Sequence, residues 1–169
     1  MNANAVQISV RCALPTELGA IENMMQFYNY DLSESLPVDF TETGLYALRP
    51  KQQYWSKPGV APFVIYVDGA LAGFAVVDDE VIQPESRYNM GYFFIARRYC
   101  GQGVGKQVVS KLLAQFPGAW EIYFYAGNKT AAAFWNATIA KSSARDVAVS
   151  AQIIDGEQCT LFSFSTVLK

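Results

Sequence analysis

The stretch YCGQGVGK, residues 99–106, governs how the rest of the chain is read. Glycines alternate there at Gly101, Gly103 and Gly105; GYFFIA (91–96) leads in, and KQVVSKLLAQF (106–116) leads out. A glycine-rich corner between a strand and a helix lets backbone N–H groups approach an anion. Two familiar anion loops do not fit. G-x-x-x-x-G-K-[ST] would need its first glycine at Cys100 and Ser or Thr at Gln107. G-x-G-x-x-G would need its third glycine at Lys106 or Val108.

Working outward, VQISVRCA (6–13) alternates as a first strand, and Pro15-Thr16-Glu17 opens a helix with apolar residues at Leu18, Ile21, Met25 and Tyr28. Between Tyr30 and Pro58, with Pro37, Gly44 and Pro50, at most a short helix near 41–49 is expected. PFVIYV and LAGFAVV flank Asp68-Gly69-Ala70, a hairpin signal, and a third strand follows from about Asn89 to Ala96. Gly91 inside that strand predicts a bulge or a close approach by another group. A helix from about Val104 to Phe116 stops at Pro117-Gly118 and crosses to WEIYFYA, which makes the two strands it joins parallel. Asn128 is placed to N-cap KTAAAFWNATIAK, and a second hairpin turns at Asp155-Gly156. The order β-α-(α)-β-β-β-α-β-α-β-β, over residues 1–169 as one domain, is an α/β (α+β) chain.

Composition narrows the chemistry. The chain has no histidine, so Ser-His-Asp and Cys-His mechanisms are excluded. Cys12, Cys100 and Cys159 are scattered, which suits neither a zinc site nor a disulfide framework, so no metal is expected. A net charge of −2 argues against a broad nucleic-acid face. MNANAVQISV has no leader features and GALAGFAVV is too short to span a bilayer; a cytoplasmic protein without membrane partners is expected.

Cys100-Gly101-Gln102-Gly103-Val104-Gly105 fits [Q/R]-x-x-G-x-[G/A] except at its first position. The pattern resembles the acetyl-coenzyme A loop of the GNAT superfamily of N-acetyltransferases. Asn128-Lys129-Thr130-Ala131-Ala132-Ala133-Phe134-Trp135 resembles that superfamily's Asn-x-x-Ala-x-x-[aromatic or Leu]-Tyr motif, and the element order matches as well. QFYNYDLSESLP, GVGK and GN…AFW together resemble a bacterial subgroup. The resemblance implies a mixed central sheet of about six to seven strands, with helices on both faces and two strands splayed beside the glycine loop. It also implies acetyl-CoA as co-substrate. Its diphosphate would lie on the N–H groups around Gly101, Gly103 and Gly105, with Arg98, Cys100, Gln102, Val104 and Lys106 contributing. The backbone near Phe93, Phe94 and Ile95 would pair with the pantetheine arm, next to Asn128, Phe134 and Trp135.

The activity implied is direct attack of a small amine on the thioester, without a covalent enzyme intermediate. Many members carry a base Glu on the strand before the loop; here Asn89-Met90-Gly91-Tyr92-Phe93 has no carboxylate. The candidates are Asp78, with Asp79 and Glu80 as alternatives and a solvated acidic turn as the competing reading, and Tyr92 as a relay or as packing. The usual acid Tyr is replaced by Trp135, which leaves Tyr125 or Tyr123, or an unaided thiolate. Cys100, beside a helix start, is either a neutral substitution or a lowered-pKa thiol. Tyr28, Tyr30 and Asp31 are expected to line the acceptor pocket. Alternatives to a small acceptor are a protein or aminoacyl amine, or a coenzyme-binding module without catalysis. Many members form homodimers, but no segment here selects an interface.

Overall fold

The computed structural model describes residues 5–50 and 52–167. The first four residues read above for a leader, and both ends of the expected 1–169 domain, lie outside them.

Strand β1 (Ile8–Cys12) leads into a 3-10 turn at Pro15–Glu17 and helix α1 (Leu18–Leu32). Glu17 holds this corner: its carboxylate accepts from the Leu14 N–H at 2.7 Å and from Arg11 at 2.6 and 2.8 Å. No helix forms over 41–49. Residues there turn instead, with the Thr41 N–H donating to Leu45 O, and the short helix α2 comes later, at Gln52–Trp55. A Pro-rich segment has too little periodicity to locate a single turn of helix.

Strands β2 (Ala61–Val67) and β3 (Ala70–Asp78) form the expected hairpin, with Asp68 and Gly69 at φ 48° and 79°, as a two-residue primed turn requires. Strand β4 (Tyr88–Ile95), helix α3 (Val104–Gln115), strand β5 (Ala119–Tyr125) and helix α4 (Lys129–Ala140) follow. Strands β6 (Arg145–Ile154) and β7 (Glu157–Ser165) close the chain around Asp155-Gly156. The Asn128 side chain accepts from the Ala131 N–H at 3.0 Å, so the predicted cap is present. Among the described residues seven strands form one mixed sheet, β1-β2-β3-β4-β5-β7-β6, in which β4 and β5 are the parallel pair.

Both faces of the sheet are covered. Phe63, Ile65, Ala75 and Val77 pack under α3 and α4 with Val108, Leu112 and Ile139, whereas Val64, Phe74 and Val76 pack under α1 and α2 with Ile21, Met25 and Tyr54. Alternation to two buried sides explains why β2 and β3 read as near-continuous apolar runs. Among the described residues no helix is long and apolar enough to cross a membrane.

Two departures from a regular sheet build the site. Strands β4 and β5 pair only at Tyr88↔Trp120 and Asn89↔Glu121, while β5 stays paired with β7 along its whole length. Past Asn89 the two strands therefore diverge as a V. The second is a bulge: Val76 faces Tyr92 and Val77 faces Met90, so Gly91 has no partner. Met90 and Phe93, three apart, consequently both face α3, which strict alternation forbids.

Candidate functional site

The V opens into a cleft of about 1520 Å³. One half is built from the glycine corner. Gly101 and Gly103 have φ of 74° and 77°, and a Cβ on either would meet nothing, so glycine is needed there for backbone conformation. Gly105 serves differently: a Cβ would come within 2.7 Å of the Phe134 ring, so it lets α4 close on α3. Gly103 N-caps α3, and the first bond back to it is from the Gln107 N–H at 3.2 Å. The N–H groups of Val104, Gly105 and Lys106 thus have no intrahelical partner and stand at the helix's positive end.

Phe93, Phe94, Ile95, Cys100 and Lys106 line this half with Gly101, Gly103 and Gly105. Asn128, Phe134 and Trp135 line it from the β5–α4 side. Phe93 stacks on Phe134 at 5.4 Å and meets Trp135 edge-on at 5.3 Å. Arg98, Gln102 and Val104 are not in the wall: Arg98 lies 5.8 Å from the Tyr99 ring, Gln102 donates to Arg98 O, and the Val104 side chain is in the core. Arg97 is not a spare cation either, since it pairs with Asp31 at 2.5 Å. Cys100 is not an activated thiol. Its Sγ donates to Ile95 O and Ala96 O at 3.5 and 3.7 Å, and burial pushes its pKa up rather than down.

The other half is walled by tyrosines. Tyr28 and Tyr92 meet at 5.5 Å and Tyr54 and Tyr92 at 6.3 Å, while Tyr123 and Tyr125 approach from β5. Burial raises the pKa of all five phenols, Tyr123 to about 12, so they are neutral donors at neutral pH. Asp31 lines the cleft, but Tyr30 does not and is 58% exposed.

Asp78 is no solvated turn. At the end of β3, and 2% exposed, it projects beside the Gly91 bulge. Tyr54 Oη donates to its Oδ2 at 2.6 Å; Asn89 Nδ2 and the Glu80 N–H donate to its Oδ1 at 3.0 and 3.1 Å. Burial raises its pKa against these bonds. The remaining charges largely cancel locally. Glu80 pairs with Lys57 and Asp155 with Arg49, each at 2.7 Å, alongside the Asp31–Arg97 pair. Asp78 and Glu34 are the cleft carboxylates without an ion-pair partner among the described residues.

Sequence reasoning missed Tyr54, Asn89, Arg49 and Glu121. Tyr54 lies in the segment that lacks periodicity. Asn89, a polar residue entering an apolar strand, was the one readable signal. Glu121 is fully buried at the last β4–β5 rung, where it accepts from the N–H groups of Ile82 and Gln83 and ties the β3–β4 loop to the apex of the V.

A family model, the acetyltransferase (GNAT) family, matches residues 25–138, which include the cleft-lining part of α1, both strands of the V and the glycine corner. The chain belongs to the acetyltransferase (GNAT) family. No curated protein matches it in sequence. Solved GNAT-type structures share its fold. An acetyltransferase from Thermus thermophilus has TM-score 0.65 at 14% identity, covering 93% of this chain and 96% of that one. Spermidine/spermine N-acetyltransferase SpeG from Vibrio cholerae, in complex with manganese ions, has TM-score 0.59 at 11% identity over 95% and 93%. A Bacillus anthracis str. Ames protein assigned as a streptothricin acetyltransferase, in complex with acetyl coenzyme A, has TM-score 0.56 at 11% identity over 96% and 99%. As a GNAT member this chain is an acyltransferase, and its residues suit acetyl-CoA. The open edge of β4 past Asn89 leaves backbone for a pantetheine arm, and the N–H groups at Val104–Lys106, without a partner among the described residues, suit a diphosphate. Among the described residues no group of three His, Cys, Asp or Glu could hold a metal ion.

Proposed function

We propose that the whole chain is one GNAT domain that moves an acetyl group from acetyl-CoA to the primary amine of a small cationic acceptor. The observation carrying this reading is the V between β4 and β5, whose apex holds a buried carboxylate, Asp78, facing a tyrosine-walled pocket.

Bound acetyl-CoA supplies an electrophilic thioester carbonyl. Backbone at Phe93–Ile95 orients the arm, and the Val104–Lys106 N–H groups with the Lys106 ammonium hold the diphosphate. Asp78 takes one proton from the acceptor's ammonium. The freed nitrogen bonds to the acyl carbon, the C–S bond breaks, and the thiolate leaves; the second nitrogen proton passes to the thiolate through solvent. Tyr125, with Tyr123, hydrogen-bonds the departing sulfur. A phenol with a raised pKa is a better bond donor than a full proton source there. Tyr92 shapes the pocket. Cys100, protonated and bonded to carbonyls, supports direct attack over an acyl-enzyme route. Alignment of the two reactants can supply up to about 7–11 kcal/mol of the barrier reduction. Two unpaired carboxylates and five phenols favour a cationic acceptor.

Acetyl-CoA at ~100 times its Kd should add about 2.7 kcal/mol of stability and raise Tm. Thiol release should then appear with a member of an amine panel. No Tm shift at millimolar acetyl-CoA would overturn the reading.

A further inference from the structure

Asn89 holds a hydrogen-bond acceptor that the described residues leave unused, and its assignment rests on the acetyltransferase reading above. Asp78 Oδ1 accepts from the Glu80 N–H and Oδ2 from Tyr54, and the Asn89 amide turns its NH2 toward the same acceptor carboxyl, donating to Oδ1 at 3.0 Å. That orientation leaves Asn89 Oδ1 as the free end. Oδ1 is buried and receives no donor among the described residues. Buried carbonyl oxygens are nearly always bonded, and Asn89, 2% exposed, lines the cleft rather than an apolar void. Its place in the sheet is equally specific. Asn89 is the last β4 residue paired with β5, and the bulge at Gly91 begins just beyond it. The unmet oxygen therefore sits beside Asp78 where the V closes, with Tyr54 and Tyr92 nearby.

We propose that Asn89 is an acceptor-binding residue whose Oδ1 takes a hydrogen bond from the attacking nitrogen of a primary amine. An ammonium carries three donors. One meets Asn89 Oδ1 and one meets Asp78 Oδ2, which among the described residues accepts from Tyr54 alone, while Asn89 Nδ2 and the Glu80 N–H hold Asp78 Oδ1 in place. After a proton moves to Asp78, the N–H on Asn89 remains bonded, which keeps the nitrogen lone pair in one direction. The subsite selects unhindered primary amines; a tertiary ammonium has a single donor and cannot satisfy both oxygens.

The test is calorimetric titration of the full chain with n-butylamine, 1,4-diaminobutane, spermidine and tyramine, with N,N-dimethylbutylamine as the one-donor control, with and without coenzyme A. At least one primary amine should bind the wild type at least about tenfold more tightly than the control. Asn89→Ala should abolish that preference. Asn89→Ser, which retains a hydroxyl donor toward Asp78, should do the same and guards against misfolding. Acetyl-CoA affinity should stay within about twofold in both variants. Unchanged amine affinity in a variant that still binds acetyl-CoA overturns the subsite, as does a wild type that binds none of the amines. Loss of acetyl-CoA binding by the wild type would instead overturn the family-level reading, and the titrations without coenzyme still decide the subsite.

Discussion

The carboxylate of Asp78 occupies the space that a Cβ on Gly91 would fill: such a Cβ would collide with Oδ2 and lie 3.0 Å from Cγ and 3.1 Å from Tyr54 Oη. A glycine that reads as a weak point in a strand is the condition for a buried acid at the apex of the cleft. Gly91→Ala must push Asp78 aside, since the opposing atoms belong to a hydrogen-bonded cluster. We expect a stability loss of about 1–3 kcal/mol. We also expect kcat to fall by roughly 10²-fold or more, with acetyl-CoA affinity retained. Urea unfolding and steady-state kinetics measure both.

Asp78 also sets a pH dependence in two readouts. Burial raises its pKa above the ordinary 3.8, so kcat/KM for the amine should climb with pH along an acidic limb above that value, and Asp78→Asn should remove the limb. Stability runs the other way. A carboxyl with a raised folded-state pKa binds its proton better when folded, so its contribution is full below 3.8 and is lost as pH rises through the folded value. The wild type should therefore lose stability relative to Asp78→Asn across that window. A flat difference between the two proteins would contradict the raised pKa.

At Gly103 the backbone, not space, constrains substitution. Gly103→Ala costs about 1–2 kcal/mol for its left-handed conformation and should keep most acetyl-CoA binding. Gly103→Glu adds length and negative charge at the cap of α3 and should abolish the acetyl-CoA-induced Tm shift. A shift that survives in Gly103→Glu would move the diphosphate elsewhere.

Trp135 is 6% exposed and packed against Phe93 and Phe134 at 5.3 and 4.8 Å. Trp135→Tyr supplies a phenol where the indole cannot release a proton near neutral pH. We expect acetyl-CoA affinity within a few-fold and a rise in kcat of up to about tenfold, modest beside the 10²–10⁴-fold typical of general acid–base assistance. Weakened coenzyme binding instead would mean that the indole packs on the arm.

Glu121 anchors the β3–β4 loop through two backbone N–H groups. Glu121→Gln turns one acceptor oxygen into a donor facing an N–H, at a cost of about 1–3 kcal/mol. Hydrogen exchange should quicken first at Ile82 and Gln83, ahead of global unfolding.

Features written in short-range patterns were legible from the chain alone. Two-residue turns at Asp68-Gly69 and Asp155-Gly156, the Asn128 cap, the strand–glycine corner–helix order and the bulge at Gly91 all depend on neighbouring residues, and the structure contains each of them. The misplaced helix near 41–49 has the same origin, because a prolyl segment carries almost no local signal.

The tyrosine-walled half of the cleft exists only through packing. Tyr54 reaches Asp78 across 24 residues and Arg49 reaches Asp155 across 106. Whether Asp78 is solvated or buried depends on what α2 and β4 lay over it, and nothing within its own strand encodes that. Local backbone preferences act between adjacent residues and survive in sequence. Desolvation and hydrogen bonding act through space, so a carboxyl's proton affinity and an amide's unmet oxygen exist only once distant segments have closed around them.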